Sequence, residues 1–348
     1  MADRFRIFAT CDIGEEALQR LRAKGWDLEV YGKVDPPPRE LMLQKVKSGI
    51  DALITTIRDH IDDEVLAAGK AAGLKVVAQD AVGVDNIDRA AANRHQIPFS
   101  HTADVLTDAT AEFAFLIMGC VARKTWPSEQ MVRERKWSTW HPYHPWLGDE
   151  VTGKTVAVIG TGRIGKSFIK KAVGFDMDVL CHDPAFQDRE FVEGIRRVMK
   201  VRHDEGLTAR MQSIDYVPFE EALGRADFVS LHVALTRPGE ATEPTFHLMD
   251  ERRLKMMKAT AYLVNTSRGP VVDERALARA LRFKRVEDAE DGYQSMVNLY
   301  ERKIYPSVEG IRNVIRLLGA NNEKIRRLKA EDLVDDSAVR KMEKEGRF

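Results

Sequence analysis

Cysteine is scarce: the 348 residues contain three, Cys11, Cys120 and Cys181. An odd number of widely spaced thiols in apolar surroundings builds neither a disulfide framework nor a metal cluster, so no metal is expected and a reducing cytoplasm is the expected compartment. Net charge is absent as well, with 54 Lys and Arg against 54 Asp and Glu. Without an overall field the chain has no general means of recruiting nucleic acid or an anionic membrane. Long apolar runs are missing too. No stretch approaches the ~18 residues that a membrane span needs, and Met1 to Phe8 contains no apolar segment of the export-signal kind. Histidine stops early: all nine lie at or before His247. These absences leave a small-molecule ligand as the expected partner. The length exceeds what one hydrophobic core usually supports, so two domains are expected.

Short β-prone runs at Ile7 to Thr10, Ala52 to Thr55 and Val76 to Gln79 alternate with helical patterns at Glu15 to Ala23, Glu40 to Lys47 and Asp63 to Ala68. Strands alternating with helices imply a parallel α/β sheet. A long helix is expected over Asp104 to Met118, with Asp104 as its N-cap and a densely apolar body, joining two domains. An aromatic loop from Trp137 to Trp146 follows, and a second α/β series opens at Thr155. Its later strands are expected at Met177 to Cys181, Phe228 to His232 and Ala261 to Val264. Helices are expected at Glu220 to Leu223, Asp250 to Met257 and up to Ala280.

The second series opens with Lys154-Thr155-Val-Ala-Val-Ile-Gly160-Thr-Gly162-Arg163-Ile164-Gly165. A strand, a glycine turn and a helix in that order fit a dinucleotide fingerprint. The first glycine allows the tight turn, the second lets backbone N–H groups approach a pyrophosphate, and the third permits close helix–strand packing. The next strand ends at Asp183, 18 residues after Gly165, where such a fingerprint expects an acid for the ribose hydroxyls. A carboxylate there repels a 2′-phosphate and favours NAD over NADP. The plainer alternative is a glycine turn followed by a surface aspartate. Past the last strand stands Asn265-Thr266-Ser267-Arg268-Gly269, which aims an arginine at the crevice where such sheets bind ligands.

Several stretches together resemble the D-isomer-specific 2-hydroxyacid dehydrogenases of the glyoxylate/hydroxypyruvate reductase type, over roughly residues 1 to 282. They are Val82-Gly83-Val84-Asp85-Asn86-Ile87-Asp88, Leu106 to Glu112, Arg135-Lys136-Trp137, Gly153 to Thr155 with the glycine loop, and Asn265 to Asp273. The resemblance implies an α/β fold in which a flavodoxin-like substrate domain (1–103) precedes a Rossmann NAD-binding domain (104–284); beyond its reach an atypical helical tail (285–348) is expected. It implies NAD as cofactor, a small 2-keto or 2-hydroxy acid as substrate, and a homodimer built by the long helix and the aromatic loop. Thr107, Gly160, Gly162, Arg163, Ile164, Gly165, Asp183, Val233, Thr266 and Ser267 would contact the cofactor. Val82 and Gly83 would hold the substrate carboxylate through backbone N–H groups. Arg268 matches the arginine that polarises the keto acid, and its planar fork suits a carboxylate and a keto oxygen together. A salt-bridged structural arginine is the plainer alternative.

The resemblance fails after Leu281. The family continues into a Gly-x-x-Leu-Asp-Val strand, then a glutamate and a Pro-His motif that supply the catalytic acid. This chain reads Arg282-Phe-Lys-Arg-Val-Glu-Asp-Ala instead, so the final Rossmann strands and the acid are expected to be missing. His101 and His232 fall near strand ends and His141 and His144 in the aromatic loop, although structural roles are the plainer reading for each. In the tail, Val308, Ile311, Val314, Ile315 and Leu318 recur at helical spacing, predicting a helix over Ser307 to Leu318, and a second helix is expected from Asp335. Ile304 to Val314 and Glu331 to Lys341 are similar to the closing helices of ABC-transporter solute-binding proteins, which would make the tail a fusion product. A helical tail peculiar to this chain is the alternative. Two functions follow: an NAD-dependent 2-keto acid reductase, or an NAD-binding protein with impaired turnover.

Overall fold

The computed structural model describes residues 4–142 and 147–281. The first sheet is formed by β1 (Arg6–Ala9), β2 (Asp27–Val30), β3 (Ala52–Thr55), β4 (Val76–Gln79) and β5 (Phe99–Ser100). All pairs are parallel and the order is β2-β1-β3-β4-β5, the flavodoxin-like arrangement. Helices α1 (Glu15–Arg22), α2 (Arg39–Lys47), α3 (Asp63–Ala72) and α4 (Arg89–Arg94) connect the strands. The core beneath them contains Phe8, Leu53, Leu66 and Val77, drawn from strands and helices alike. Helix α3 is punctuated locally. Asp62 accepts a hydrogen bond from the Val65 N–H at its start, and Gly73 takes the left-handed conformation at its end.

Helices α5 (Thr107–Ala122) and α6 (Thr125–Arg133) lead to the second sheet. It contains β6 (Thr155–Ile159), β7 (Asp178–His182), β8 (Ile214–Tyr216), β9 (Phe228–Leu231) and β10 (Tyr262–Asn265) in the order β10-β9-β6-β7-β8. Among the described residues β10 is its last strand, and the chain crosses from one side of β6 to the other after β8, as in a doubly wound Rossmann sheet. Strand β6 shows why so apolar a segment sits at the centre. Val156 and Val158 face one core cluster with Phe168 and Ile169, while Ala157 and Ile159 face another with Leu180 and Leu231. A strand with side chains on alternating sides and helices on both faces must be apolar at successive positions. The helices are α7 (Arg163–Gly174), α8 (Arg189–Asp204), α9 (Phe219–Arg225), α10 (Glu251–Met256) and α11 (Glu274–Ala280).

Three expectations change. The long helix starts at Thr107, not Asp104, and runs to Ala122. Asp104 does not cap it: this residue adopts φ 71° and its carboxylate pairs with Arg163 at 2.6 Å. Strands β2, β5 and β8 and helices α4, α6 and α8 have no counterpart among the expected elements, although the cap at Asp188 and buried Val192, Ile195 and Met199 at helical spacing account for α8. Helix α5 packs on α7 through small residues, Ala111 and Ala114, beside the edge-on rings of Phe115 and Phe168. His144 and the two expected tail helices lie outside the described residues.

Candidate active site

The carboxyl end of the first sheet carries a buried polar network that shapes the loop after β4. Gln79, the last residue of that strand, accepts from Thr55 Oγ1 at 2.8 Å and donates to the Gly83 carbonyl at 2.8 Å and to Asn86 Oδ1 at 2.6 Å. Asn86 in turn donates to the carbonyls of Thr56 and Asp59 at 3.0 and 2.8 Å. The buried Asp59 carboxylate accepts from Thr10 Oγ1 at 2.6 Å and from the Thr56 N–H at 2.7 Å. Buried amides and carboxylates are costly unless paired, and here the pairings of Gln79 and Asn86 also fix the path of residues 79–86. The Val82-Gly83 backbone is thereby held in a set shape. The strand-end segment beside it is tied to the same loop, with the Thr102 N–H on the Ala81 carbonyl at 2.9 Å and His101 Nδ1 on the Val82 carbonyl at 3.0 Å.

The carboxyl end of the second sheet carries the glycine loop. A Cβ on Gly160 would stand 2.6 Å from the His232 carbonyl oxygen, and its φ of 90° is the conformation glycine allows. A Cβ on Gly165 would stand 2.1 Å from the Gly160 carbonyl oxygen, so the first turn of α7 lies directly on the loop. Around Gly162 the picture reverses, because a Cβ there would meet nothing within 4 Å. Open space lies at the start of a helix whose N-terminal amides receive no side-chain cap, which is an anion-binding geometry. Arg163 is the first residue of that helix and Ile164 packs into the core behind it. Val233 lies against the loop, its Cγ1 3.0 Å from the same imagined Gly160 Cβ.

Asp183 follows β7. Its Oδ2 accepts from the Thr161 N–H at 2.9 Å, and its Oδ1 accepts from the Ala185 and Phe186 N–H groups at 3.0 and 3.2 Å. The carboxylate is thus fixed beside the glycine loop. At the end of β10, Asn265 clamps a turn by accepting from the Ser267 N–H and donating to the Arg268 carbonyl. Ser267 Oγ donates to the Leu231 carbonyl at 2.9 Å, while the buried Thr266 Oγ1 has no hydrogen-bond partner. An orphaned hydroxyl, open space at Gly162 and an uncapped helix start together fit a dinucleotide. Thr107 begins α5 and is half-buried.

Arg268 reaches across to the first sheet's loop. Its Nε lies 3.0 and 3.2 Å from the two Asp85 oxygens, and Nη2 lies 2.9 Å from Oδ1, while Nη1 donates to the Ser267 carbonyl at 3.0 Å. A Cβ on Gly83 would stand only 1.8 Å from Nη2. The guanidinium therefore rests on the Gly83 backbone, and Asp85, a partner that the sequence pattern did not reveal, occupies one edge of its fork.

His232 is enclosed. Its ring packs 4.9 Å from that of Phe168, Nε2 lies 2.9 Å from Ser230 Oγ, and Nδ1 has no partner. Burial pulls its pKa from 6.5 down to about 4, so it is a neutral packing group. Burial likewise pushes the Cys181 thiol up to about 12, which leaves it unreactive. Among the described residues no group of His, Cys, Asp and Glu is placed to hold a metal, and no helix is long and apolar enough to cross a membrane.

A flavodoxin-like sheet facing a Rossmann sheet, with an arginine from one resting on a glycine of the other beside a dinucleotide cradle, defines a nicotinamide-dependent oxidoreductase. The sequence profile of the D-isomer specific 2-hydroxyacid dehydrogenase NAD binding domain matches residues 115–293. The glyoxylate reductase of Korarchaeum cryptofilum is 40% identical over 278 residues, which cover 80% of this chain and 75% of that protein. The glyoxylate reductase of Pyrococcus horikoshii is 39% identical, with 80% and 75% covered. Among solved structures, a Thermus thermophilus protein superposes with a TM-score of 0.66 at 35% identity, covering 80% of this chain and 78% of its own. D-lactate dehydrogenase from Aquifex aeolicus, complexed with NAD and lactic acid, gives 0.63 at 26% identity, with 80% and 73% covered. The chain belongs to the D-isomer-specific 2-hydroxyacid dehydrogenase family, and NAD is its cofactor.

Proposed function

We propose that the protein reduces a small 2-keto acid of the glyoxylate or hydroxypyruvate type to the corresponding 2-hydroxy acid. The observation that carries this reading is the meeting of the Arg268 guanidinium with the Val82-Gly83 backbone beside the glycine cradle. Backbone N–H groups of Val82 and Gly83 hold the substrate carboxylate. Arg268 spans carboxylate and keto oxygen and polarises the carbonyl, a charge-assisted contact that strengthens as negative charge develops on oxygen. Bound NADH supplies the hydride. Gly160, Gly162, Arg163, Ile164 and Gly165 cradle the pyrophosphate, Asp183 takes the ribose hydroxyls and disfavours a 2′-phosphate, and Thr107, Val233, Thr266 and Ser267 line the remainder. To engage substrate, Arg268 exchanges its Asp85 contact for the incoming carboxylate, and Arg163 exchanges Asp104 for phosphate.

Residues 1–103 form the substrate domain and 104–284 the cofactor domain in this reading. The protein is a homodimer. Phe113 and Leu116 are each 55% exposed and share one face of α5 with the exposed Cys120, near the exposed Trp126 and Val132 of α6. An apolar surface of that kind marks an interface, and a second copy of this chain is the partner. Three unpaired cysteines suit the cytoplasm.

A second reading, an NAD-binding protein with impaired turnover, is favoured by the absence of any histidine after His247. One experiment separates the two: NADH oxidation with glyoxylate and with hydroxypyruvate, alongside NADH-binding fluorescence on the same preparation. Turnover supports the reductase, binding without turnover supports the second reading, and absence of both refutes the site assignment.

A further inference from the structure

The order β6-β7-β8 sets three strand ends side by side, and a polar side chain stands at each: Thr161 after β6, Asp183 after β7 and Tyr216 as the last residue of β8. The Thr161 hydroxyl, on a residue only 2% exposed, lies 2.9 Å from the Tyr216 hydroxyl and 3.4 Å from Asp183 Oδ2. The direction of this chain is fixed at both ends. A carboxylate only accepts, so Thr161 gives its proton to Asp183 and must accept from Tyr216. At the far end the Asp188 N–H donates to the Tyr216 oxygen at 2.9 Å. The tyrosine hydroxyl thus ties together the segments on either side of Asp183. It holds the glycine loop through Thr161 and residues 184–188 through Asp188, which also caps α8 and pairs with Lys166 of α7.

We infer that Tyr216 is a positioning residue for the cofactor's ribose: it makes the buried Thr161 hydroxyl a hydrogen-bond donor beside Asp183, so that the two together offer a donor and an acceptor to one ribose hydroxyl. The inference rests on the ribose assignment of Asp183 made above. An ionised carboxylate has about four lone-pair sites. Here the Thr161 N–H and hydroxyl claim those of Oδ2, and the Ala185 and Phe186 N–H groups claim those of Oδ1. A ribose hydroxyl must therefore displace a protein donor. The three backbone bonds shape the loop and measure 2.9 to 3.2 Å, whereas the Thr161 hydroxyl bond is the longest at 3.4 Å and can turn about its own C–O bond. Thr161 is the group that yields. Its proton turns to the ribose oxygen while the ribose proton takes its place on Asp183. Tyr216 keeps the Thr161 oxygen occupied throughout, so the buried threonine has no free lone pair with which to compete for the ribose proton. Removing the tyrosine hydroxyl leaves Thr161 free to turn away from Asp183 and releases the 184–188 segment from the glycine loop.

The test is NADH-binding fluorescence on the full chain and on its Tyr216→Phe, Asp183→Ala and doubly substituted variants, each with a thermal melt. Tyr216→Phe is expected to weaken NADH binding about fivefold and Asp183→Ala about tenfold or more. With Asp183 gone, Tyr216→Phe should cost less than about twofold, because the tyrosine acts on the ribose only through that carboxylate. Thr161→Val should reproduce the Tyr216→Phe loss and Thr161→Ser should restore wild-type affinity, a pair that decides the matter if Tyr216→Phe melts early. Tyr216→Phe and Thr161→Val variants that bind NADH as wild type does, or a Tyr216→Phe loss of the same factor with and without Asp183, overturn the inference and leave the ribose assignment standing. An Asp183→Ala variant with wild-type NADH affinity, or a wild-type chain that does not bind NADH, overturns both.

Discussion

Replacing Gly83 by alanine separates activity from stability. The new Cβ would stand 1.8 Å from Arg268 Nη2, 2.9 Å from its Cζ and 3.0 Å from an Asp85 oxygen. Non-bonded heavy atoms settle at about 3.5–4.0 Å, so the guanidinium must retreat by about 1.5–2 Å. A side-chain tip can do so without moving the backbone, and Gly83 is not among the residues with positive φ, so alanine meets no backbone strain there. Stability should barely change. Losing a partly exposed ion pair costs about 0–1 kcal/mol, and the lower entropy of the unfolded alanine chain returns about 0.4–1 kcal/mol. Activity should not survive so well, because a catalytic group misplaced by about 1 Å can cost about 10²-fold, or ~2.7 kcal/mol in transition-state binding. The assay is kcat and KM for the keto acid, NADH-binding fluorescence and a thermal melt on one preparation. Wild-type kcat/KM at an unchanged Tm would refute the placement of Arg268 on Gly83 as the basis of substrate binding.

Other consequences follow from the same contacts. Asp183→Asn removes the charge beside the glycine loop, and the ratio of NADPH to NADH affinity should rise by about tenfold; an unchanged ratio in fluorescence titrations contradicts the ribose assignment. Leu116→Asp combined with Phe113→Asp should convert a dimer to a folded monomer in sedimentation, whereas an unchanged mass removes α5 from the interface. His232 should impose an acid limb on stability. Its folded-state pKa of about 4 lies below the ordinary 6.5, so above pH 6.5 the ring is neutral in both states and costs nothing. Between 6.5 and 4 the unfolded chain binds a proton that the native chain refuses, and stability falls with pH by up to about 3 kcal/mol. Urea denaturation from about pH 7.5 to about pH 5 should show His232→Gln losing less stability than wild type, and parallel losses would contradict the burial argument.

What the sequence disclosed and what it hid divide along a physical line. Strands β3 and β4 are recovered at their observed bounds because apolar residues within each short run settle the strand locally. Strand β2 escapes because its alternation of Asp27 and Glu29 with Leu28 and Val30 lasts only four residues on a sheet edge, and the two residues of β5, paired with Val77 and Ala78, are too few to show a period. The glycine loop and Arg268 are legible because their chemistry is written in consecutive residues. Asp85 is not legible as the partner of Arg268, since 183 positions separate them and only the apposition of the two sheets joins them. Asp104 misleads for the related reason that an aspartate before an apolar helix looks like a cap, whereas its carboxylate finds a better partner in Arg163. Gly83 marks the limit most clearly. Its motif suggests a backbone that must approach a substrate, yet the atom it accommodates most closely is the nitrogen of an arginine from the other sheet. A glycine in a binding loop can thus be required by the protein's own side chain, and only the folded chain distinguishes that requirement from the demands of a ligand.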